Sequence, residues 1–154
     1  MKTIQDWLSD YGESHQNETN KTVHWICVPA IFFSIVGLLF SVKISAFEVL
    51  NMPLNLAMIA LLLVIVYYVR LSPALSVGML IFSCACLLLA RFIELQGLPL
   101  WLVCVVVFVL AWIGQFWGHK VEGKKPSFLK DLQFLLIGPA WLMSFIYRKI
   151  GIAY

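Results

Sequence analysis

The placement of charged residues constrains this chain more than any other feature of its sequence. Five stretches, together 90 of the 154 residues, contain no Asp, Glu, Lys or Arg: 23–42, 53–69, 74–90, 98–117 and 132–147. With 62% of its residues hydrophobic, the chain has more apolar side chains than a soluble core of this size can bury. These proportions exclude a disordered chain, a secreted disulfide scaffold and an ordinary soluble enzyme.

The uncharged stretches are long enough to cross a bilayer as helices. A spanning helix needs about 20 apolar residues. Strands of a membrane barrel alternate apolar and polar residues, and runs such as 61–66 and 103–109 do not show that alternation. The fifth stretch is the shortest and has Gly138-Pro139 near its middle. We therefore predict an all-α, polytopic membrane protein forming a single integral membrane domain over residues 1–154. It has four transmembrane helices, an amphipathic N-terminal helix and a fifth helix that is broken or re-entrant.

The positive charges indicate how the predicted helices are oriented. Seven Lys and Arg residues fall on the N-terminal side of the membrane and four on the other, or nine against two if the fifth helix does not cross. Cytoplasmic loops carry the excess of Lys and Arg, so we expect a cytoplasmic N-terminus. The net charge of +3 is then a topology signal, and no basic cluster interleaved with aromatic residues indicates nucleic-acid binding. The chain ends Gly151-Ile-Ala-Tyr154 without a retention signal, which favours a bacterial inner membrane over the endoplasmic reticulum.

The three histidines of the chain are predicted to lie at one face of the membrane. His15 and His24 flank the start of the first spanning helix, and His119 follows the fourth, 95 residues beyond His24. Four crossings return the chain to the side from which it started. The predicted topology therefore brings the three imidazoles to the cytoplasmic face.

Other residues share helix faces with these histidines. Ile4, Trp7, Leu8 and Tyr11 have the spacing of an amphipathic helix that lies on the membrane surface, and His15 follows Tyr11 by four residues.

Two further polar residues and a carboxylate align with the other two histidines. Asn20 lies four residues before His24, and Gln115, His119 and Glu122 lie on one face of the fourth helix. Polar groups at membrane depth are costly and usually functional, so this combination predicts a site.

Neutral imidazole is the side chain that most often binds metals, and it suits Fe, Zn and Cu. Three histidines with a nearby carboxylate can hold a metal and leave positions for a substrate or O₂, as in non-haem Fe(II) oxygenases. They are too few for the histidine-box desaturases and hydroxylases. Two alternatives remain open: an electron-transfer protein with a haem between His24 and His119, and a non-enzymatic membrane transporter or scaffold.

Two segments resemble the signatures of a known family. Residues 11–29, YGESHQNETNKTVHWICVP, resemble the N-terminal signature of the 2-hydroxy fatty acid dioxygenase family. Residues 115–126, QFWGHKVEGKKP, with LIGPA at 136–140, resemble its C-terminal signature. Together these segments hold 36 of the 154 residues, about a quarter of the chain.

The resemblance implies an Fe(II)-dependent membrane dioxygenase, which in fungi acts in fatty acid α-oxidation at the endoplasmic reticulum. Its substrates are O₂ and a 2-hydroxy long-chain fatty acid, which loses one carbon. Such a lipid arrives from the bilayer with its carboxylate at headgroup level.

The same resemblance implies roles for individual residues. The family's presumed iron ligands match three residues here: His15, His24 and His119. From their positions beside these histidines, we add four catalytic candidates: Glu122, as a further ligand or a partner that orients an imidazole, and Asn20, Gln115 and Tyr11, as residues that orient either the ligands or the substrate.

Overall fold

A computed structural model describes residues 2–49, 51–123 and 134–154 of the chain. Apart from one β-hairpin, the described residues form helices, which confirms the predicted helical class. The elements are α1 (Ile4–Gly12), α2 (Glu18–Ser41), β1 (Lys43–Val49), β2 (Met52–Asn55), α3 (Leu56–Leu71), α4 (Pro73–Leu95), α5 (Leu100–Glu122) and α6 (Ile137–Ile150). The two strands pair antiparallel and connect α2 to α3.

Three of the described helices, α2, α4 and α5, are long and apolar enough to cross a membrane, and α3 is an apolar helix of 16 residues. Leu62, Ile81 and Leu110 are 63–66% exposed, as expected for side chains that face lipid. The number of four crossings stays a prediction. The predicted fifth stretch begins at residues 132 and 133, which lie outside the described part. From Ile137 onward α6 is continuous, and Pro139 lies in its first turn, where a proline disrupts no helical hydrogen bond.

Helices α2 and α5 run antiparallel and approach closely because small residues lie between them. A Cβ atom on Gly37 would lie 2.2 Å from the Cys104 sulfur, and one on Gly118 would lie 2.5 Å from Asn20 Oδ1. Small residues permit this close backbone approach between membrane helices. The contacts place the start of α2 beside the end of α5.

Helix α6 is attached to α3 and α4 by tyrosine hydroxyls. The Tyr147 hydroxyl accepts a hydrogen bond from the Gly78 N–H (3.0 Å) and donates one to the Ala74 carbonyl (2.8 Å). The Tyr68 hydroxyl donates to the carbonyl of Leu136. These bonds fix the start and the end of α6 against two different helices.

Helix α1 has the apolar stripe that the sequence predicts, and the stripe packs against α6. Ile4 and Tyr11 are buried, and the Tyr11 ring lies 5.3 Å from that of Trp141.

At the N-terminus of α1, hydrogen bonds from the Thr3 backbone N–H and hydroxyl hold the pKa of the Asp6 carboxyl below its usual value. Contacts with protein therefore hold α1, and with it Tyr11, in place.

Candidate metal centre

The three histidines come together at the junction of α1, α2 and α5, as the predicted topology requires. Their ring centroids are 4.2 Å apart for His15 and His24, 5.3 Å for His15 and His119, and 5.2 Å for His24 and His119. Each side chain is at most 5% exposed. One ring nitrogen from each lies within 4.8 Å of the others, so the three can hold a single metal ion.

Backbone carbonyls fix the orientation of two of the imidazoles. His15 Nδ1 lies 2.6 Å from the Tyr11 carbonyl oxygen, and His24 Nδ1 lies 2.9 Å from that of Asn20. A carbonyl can only accept, so each Nδ1 carries the proton and donates it. In the neutral form of each ring, the Nε2 atom is then an unprotonated acceptor.

The two Nε2 atoms face each other across 2.8 Å. Two acceptor lone pairs at that distance repel each other unless a proton or a cation lies between them. Metal–imidazole bonds of about 2.0–2.1 Å place neighbouring ligand nitrogens about 3 Å apart. Histidines that bind metals also commonly donate their other N–H to a backbone carbonyl. The donor chemistry of His15 and His24 thus fits a metal such as iron.

Aromatic side chains cover one side of the histidine cluster. The Tyr11 ring stacks on His15 with centroids 4.2 Å apart and planes 11° apart, and the Trp141 ring lies 5.4 Å from His15. Gly138 makes room for this packing, since a Cβ there would lie 3.0 Å from the Tyr11 hydroxyl. The predicted Tyr11 therefore supports His15 by its ring and by its carbonyl.

Glu122 joins the end of α5 to the connection between α1 and α2. Its Oε1 accepts from the Gln16 N–H (2.9 Å), and its Oε2 accepts from the Asn17 N–H (2.8 Å) and the Asn20 amide (3.1 Å). Both carboxylate oxygens are therefore engaged by donors just after His15 and just before His24. Of the two roles considered for Glu122, this geometry favours positioning over metal ligation.

Gln115 lies beside His24 at a small internal cavity of ≈ 20 Å³, which also touches Tyr11 and Trp112. A space of that size holds about one water molecule. Within the described structure, the buried Gln115 Oε1 has no hydrogen-bond partner. An unsatisfied buried acceptor costs free energy, so its position at the cavity suits an incoming donor.

A mutation of Gly118 tests whether close packing sets the histidine geometry. In Gly118→Ala the new methyl group would displace Asn20, whose carbonyl orients His24, so we expect unfolding stability to fall by about 1–3 kcal/mol. We also expect weaker retention of added metal. Thermal unfolding and metal titration of the purified variant measure both effects.

Gly12→Ala is the matched control, because a Cβ there would make only an ordinary contact, 3.5 Å from the Trp141 indole nitrogen. Equal behaviour of the two variants would contradict the packing argument.

The sequence reasoning missed several residues that build the site. Asn17 caps α2, its side chain accepting from the N–H groups of Thr19 and Asn20. An Asn followed by Glu18 ahead of an apolar run is a helix-start signal that could have been recognised. The sequence contains no signal for the backbone N–H groups that bind Glu122, because any residue except proline supplies a backbone N–H.

Comparison with known proteins gives two matches. The family described as 2-hydroxy-palmitic acid dioxygenase Mpo1-like matches residues 1–150. A protein of Saccharomyces cerevisiae named 2-hydroxy-palmitic acid dioxygenase MPO1 is 30% identical to this chain over an alignment of 154 residues. The alignment covers 96% of this chain and 82% of the yeast protein. No solved structure matches the chain.

Proposed function

Because the chain belongs to the Mpo1-like family, we propose that it is an Fe(II)-dependent membrane dioxygenase that shortens 2-hydroxy long-chain fatty acids by one carbon. The family membership predicted from the two sequence signatures is confirmed, and it supports an oxygenase that acts on a 2-hydroxy fatty acid. The observation that carries the iron proposal is the pair of buried Nε2 atoms of His15 and His24, which face each other across 2.8 Å while both Nδ1 atoms are bound to carbonyls.

His15, His24 and His119 would hold the iron. Three imidazoles leave further coordination positions, and bound Fe(II) would supply activation of O₂ there. The protein fixes the ligand atoms by the carbonyls of Tyr11 and Asn20, which keep the Nδ1 protons in place. Burial of the rings keeps bulk water away from the reacting groups.

Four residues around the histidines would orient the substrate and the ligands. Gln115 Oε1 would accept a hydrogen bond from the 2-hydroxyl group, since it is buried at the cavity beside His24. Asn20 and Glu122 would hold the α1–α2 connection, and Tyr11 would hold the face of the His15 ring.

The membrane arrangement is part of the proposal. We place α2, α3, α4 and α5 as four crossings with the N-terminus in the cytoplasm and α6 as a partly embedded helix, all in one domain. The histidines then lie at the cytoplasmic interface, where the carboxylate of a fatty acid remains in contact with headgroups. The bacterial inner membrane suits this arrangement.

The geometry favours a compact ion over a haem. A porphyrin between His24 and His119 would need open space in front of the His24 Nε2. That position is taken by the His15 Nε2, 2.8 Å away, and the adjoining cavity is only ≈ 20 Å³. A purified protein with iron and no Soret band is the expected result.

Metal removal tests the proposed function directly. Treatment with a chelator should abolish the conversion of 2-hydroxypalmitic acid to the acid with one carbon fewer, and added Fe(II) under O₂ should restore it. Zn²⁺ should occupy the site without restoring turnover, because zinc has no redox chemistry. Turnover in the chelated, iron-free protein would overturn the proposal.

A further inference from the structure

A second, entirely apolar cavity lies between α2 and α3, deeper in the helical bundle than the histidines. Its volume is ≈ 170 Å³, and every residue that lines it is apolar. Phe32, Ile35 and Leu39 line it from α2, and Ala60 and Val64 line it from α3. We refer to this cavity as the α2–α3 groove.

The α2–α3 groove adjoins the cavity at the histidine cluster. Leu135 lines both cavities. On α2, Ile31 lines the histidine cavity and the next residue, Phe32, lines the groove. The groove is therefore the direct neighbour of the histidine cavity along α2, and the Leu135 side chain lies between the two.

The length of this path suits a long acyl chain. At about 1.5 Å per helical residue, the 15 residues from His24 to Leu39 extend about 22 Å. The acyl chains of one leaflet fill half of a hydrocarbon core about 30 Å thick, which is about 15 Å. The span along α2 is thus long enough for such a chain with its polar end at the histidines.

Ala60 lies at the far end of the groove. Helix α3 starts at Leu56, next to the hairpin that follows α2, and runs back to Tyr68, whose hydroxyl binds the carbonyl of Leu136 near the site. Ala60 is thus close to the start of α3 and far from the histidines. It is also the smallest residue that lines the groove.

We propose that the α2–α3 groove binds the acyl chain of the 2-hydroxy fatty acid and that Ala60 sets the longest chain accepted. The inference rests on the proposed function and adds to it the residues that determine specificity. Another apolar cavity, of ≈ 100 Å³ and lined by Trp25, Phe82, Met143 and Ile146, shares no lining residue with the histidine cavity. The groove is therefore the better continuation of the site.

Filling the end of the groove tests the assignment of Ala60. In Ala60→Phe the larger side chain would exclude two or three terminal methylenes of the substrate, so the KM for 2-hydroxypalmitic acid should rise about 10- to 50-fold. The KM for 2-hydroxyoctanoic acid should not change, because a short chain ends before Ala60. Ile146→Phe, which fills the other cavity, is the control and should leave both values unchanged. A uniform change for both substrates, or a chain-length effect in Ile146→Phe, would overturn the assignment.

Photocrosslinking of the wild-type protein gives a readout that does not depend on turnover or on the folding of a variant. A 2-hydroxypalmitic acid with a diazirine at its last carbon should label Leu39 or Ala60, or residues next to them, when the labelled residue is identified by fragmentation of the peptides. Labelling at Trp25, Phe82 or Met143 instead would overturn the assignment of the groove while leaving the proposed function intact. Equal labelling by a phospholipid that carries the same diazirine would show a general lipid contact and would also overturn it. A wild-type protein that is labelled in the groove but has no activity would contradict the proposed function alone.

Discussion

Replacing His24 by alanine is expected to remove iron from the protein and to abolish turnover of 2-hydroxypalmitic acid. His24 is 1% exposed, and its Nε2 lies 2.8 Å from that of His15, so the substitution deletes one of two facing ligand atoms. Loss of a residue that only orients a metal ligand costs about 10- to 100-fold in affinity or activity. Removal of the ligand itself should therefore lower metal affinity and activity by more than about 100-fold. Iron content and kcat/KM measure the two effects.

Thr22→Ala is the matched control for this experiment. Thr22 is an exposed residue two positions away on α2, and its hydroxyl binds only the Glu18 carbonyl of its own helix. This variant should keep wild-type iron content and turnover. Thermal unfolding of His24→Ala separates loss of metal from loss of fold. A folded His24→Ala protein with wild-type iron and activity would refute the proposed ligand set.

Glu122→Gln is expected to lower both the free energy of unfolding and the metal affinity, an effect second in size to that of His24→Ala. The carboxylate accepts three hydrogen bonds, two from backbone N–H groups next to His15 and one from Asn20. An uncharged amide offers one acceptor oxygen and brings an NH₂ group that faces other donors. Hydrogen bonds to a charged group contribute about 1.5–3 kcal/mol each, so the free energy of unfolding should fall by about 2–4 kcal/mol. Metal affinity should fall about 10- to 100-fold.

Glu18→Gln supplies the comparison for Glu122. Its carboxylate is 88% exposed, and within the described residues it pairs with Lys21, one turn along the same helix. Surface pairs of this kind contribute little, so Glu18→Gln should leave stability and metal binding unchanged. If Glu122→Gln retains wild-type metal affinity, the carboxylate has no positioning role. If it loses stability but binds metal normally, the carboxylate supports the fold only.

The helices were predictable from the absence of charge, but their ends were not. Helix α2 begins at Glu18 and α5 continues to Glu122, each five residues beyond its uncharged stretch. These polar turns carry Asn20, His119 and Glu122. Hydropathy reports what faces lipid, whereas the helix ends here are set by an Asn cap on α2 and by Gly123 in the left-handed conformation after α5.

The histidine cluster was predictable because the four crossings expected from the sequence would return the chain to its starting side. The contacts that orient it were not, since they depend on main-chain groups whose chemistry is the same for every residue. The carbonyl of Tyr11 binds His15, and the carbonyl of Asn20 binds His24. The close approach of α2 to α5 at Gly118 also depends on how the two helices pack, and the residue pattern of either helix alone does not specify that packing.

The distance along the chain between the histidines has a consequence for how the protein is made. His119 follows His24 by 95 residues, so at about 5–20 residues per second the ribosome adds it about 5–20 s later. During that interval the nascent chain has His15 and His24 but lacks both the third imidazole and the carboxylate of Glu122. The cluster forms only when α5 enters the bilayer beside α2. The centre is therefore completed late in biosynthesis, and a metal held by all three histidines would be acquired only after α5 has been inserted.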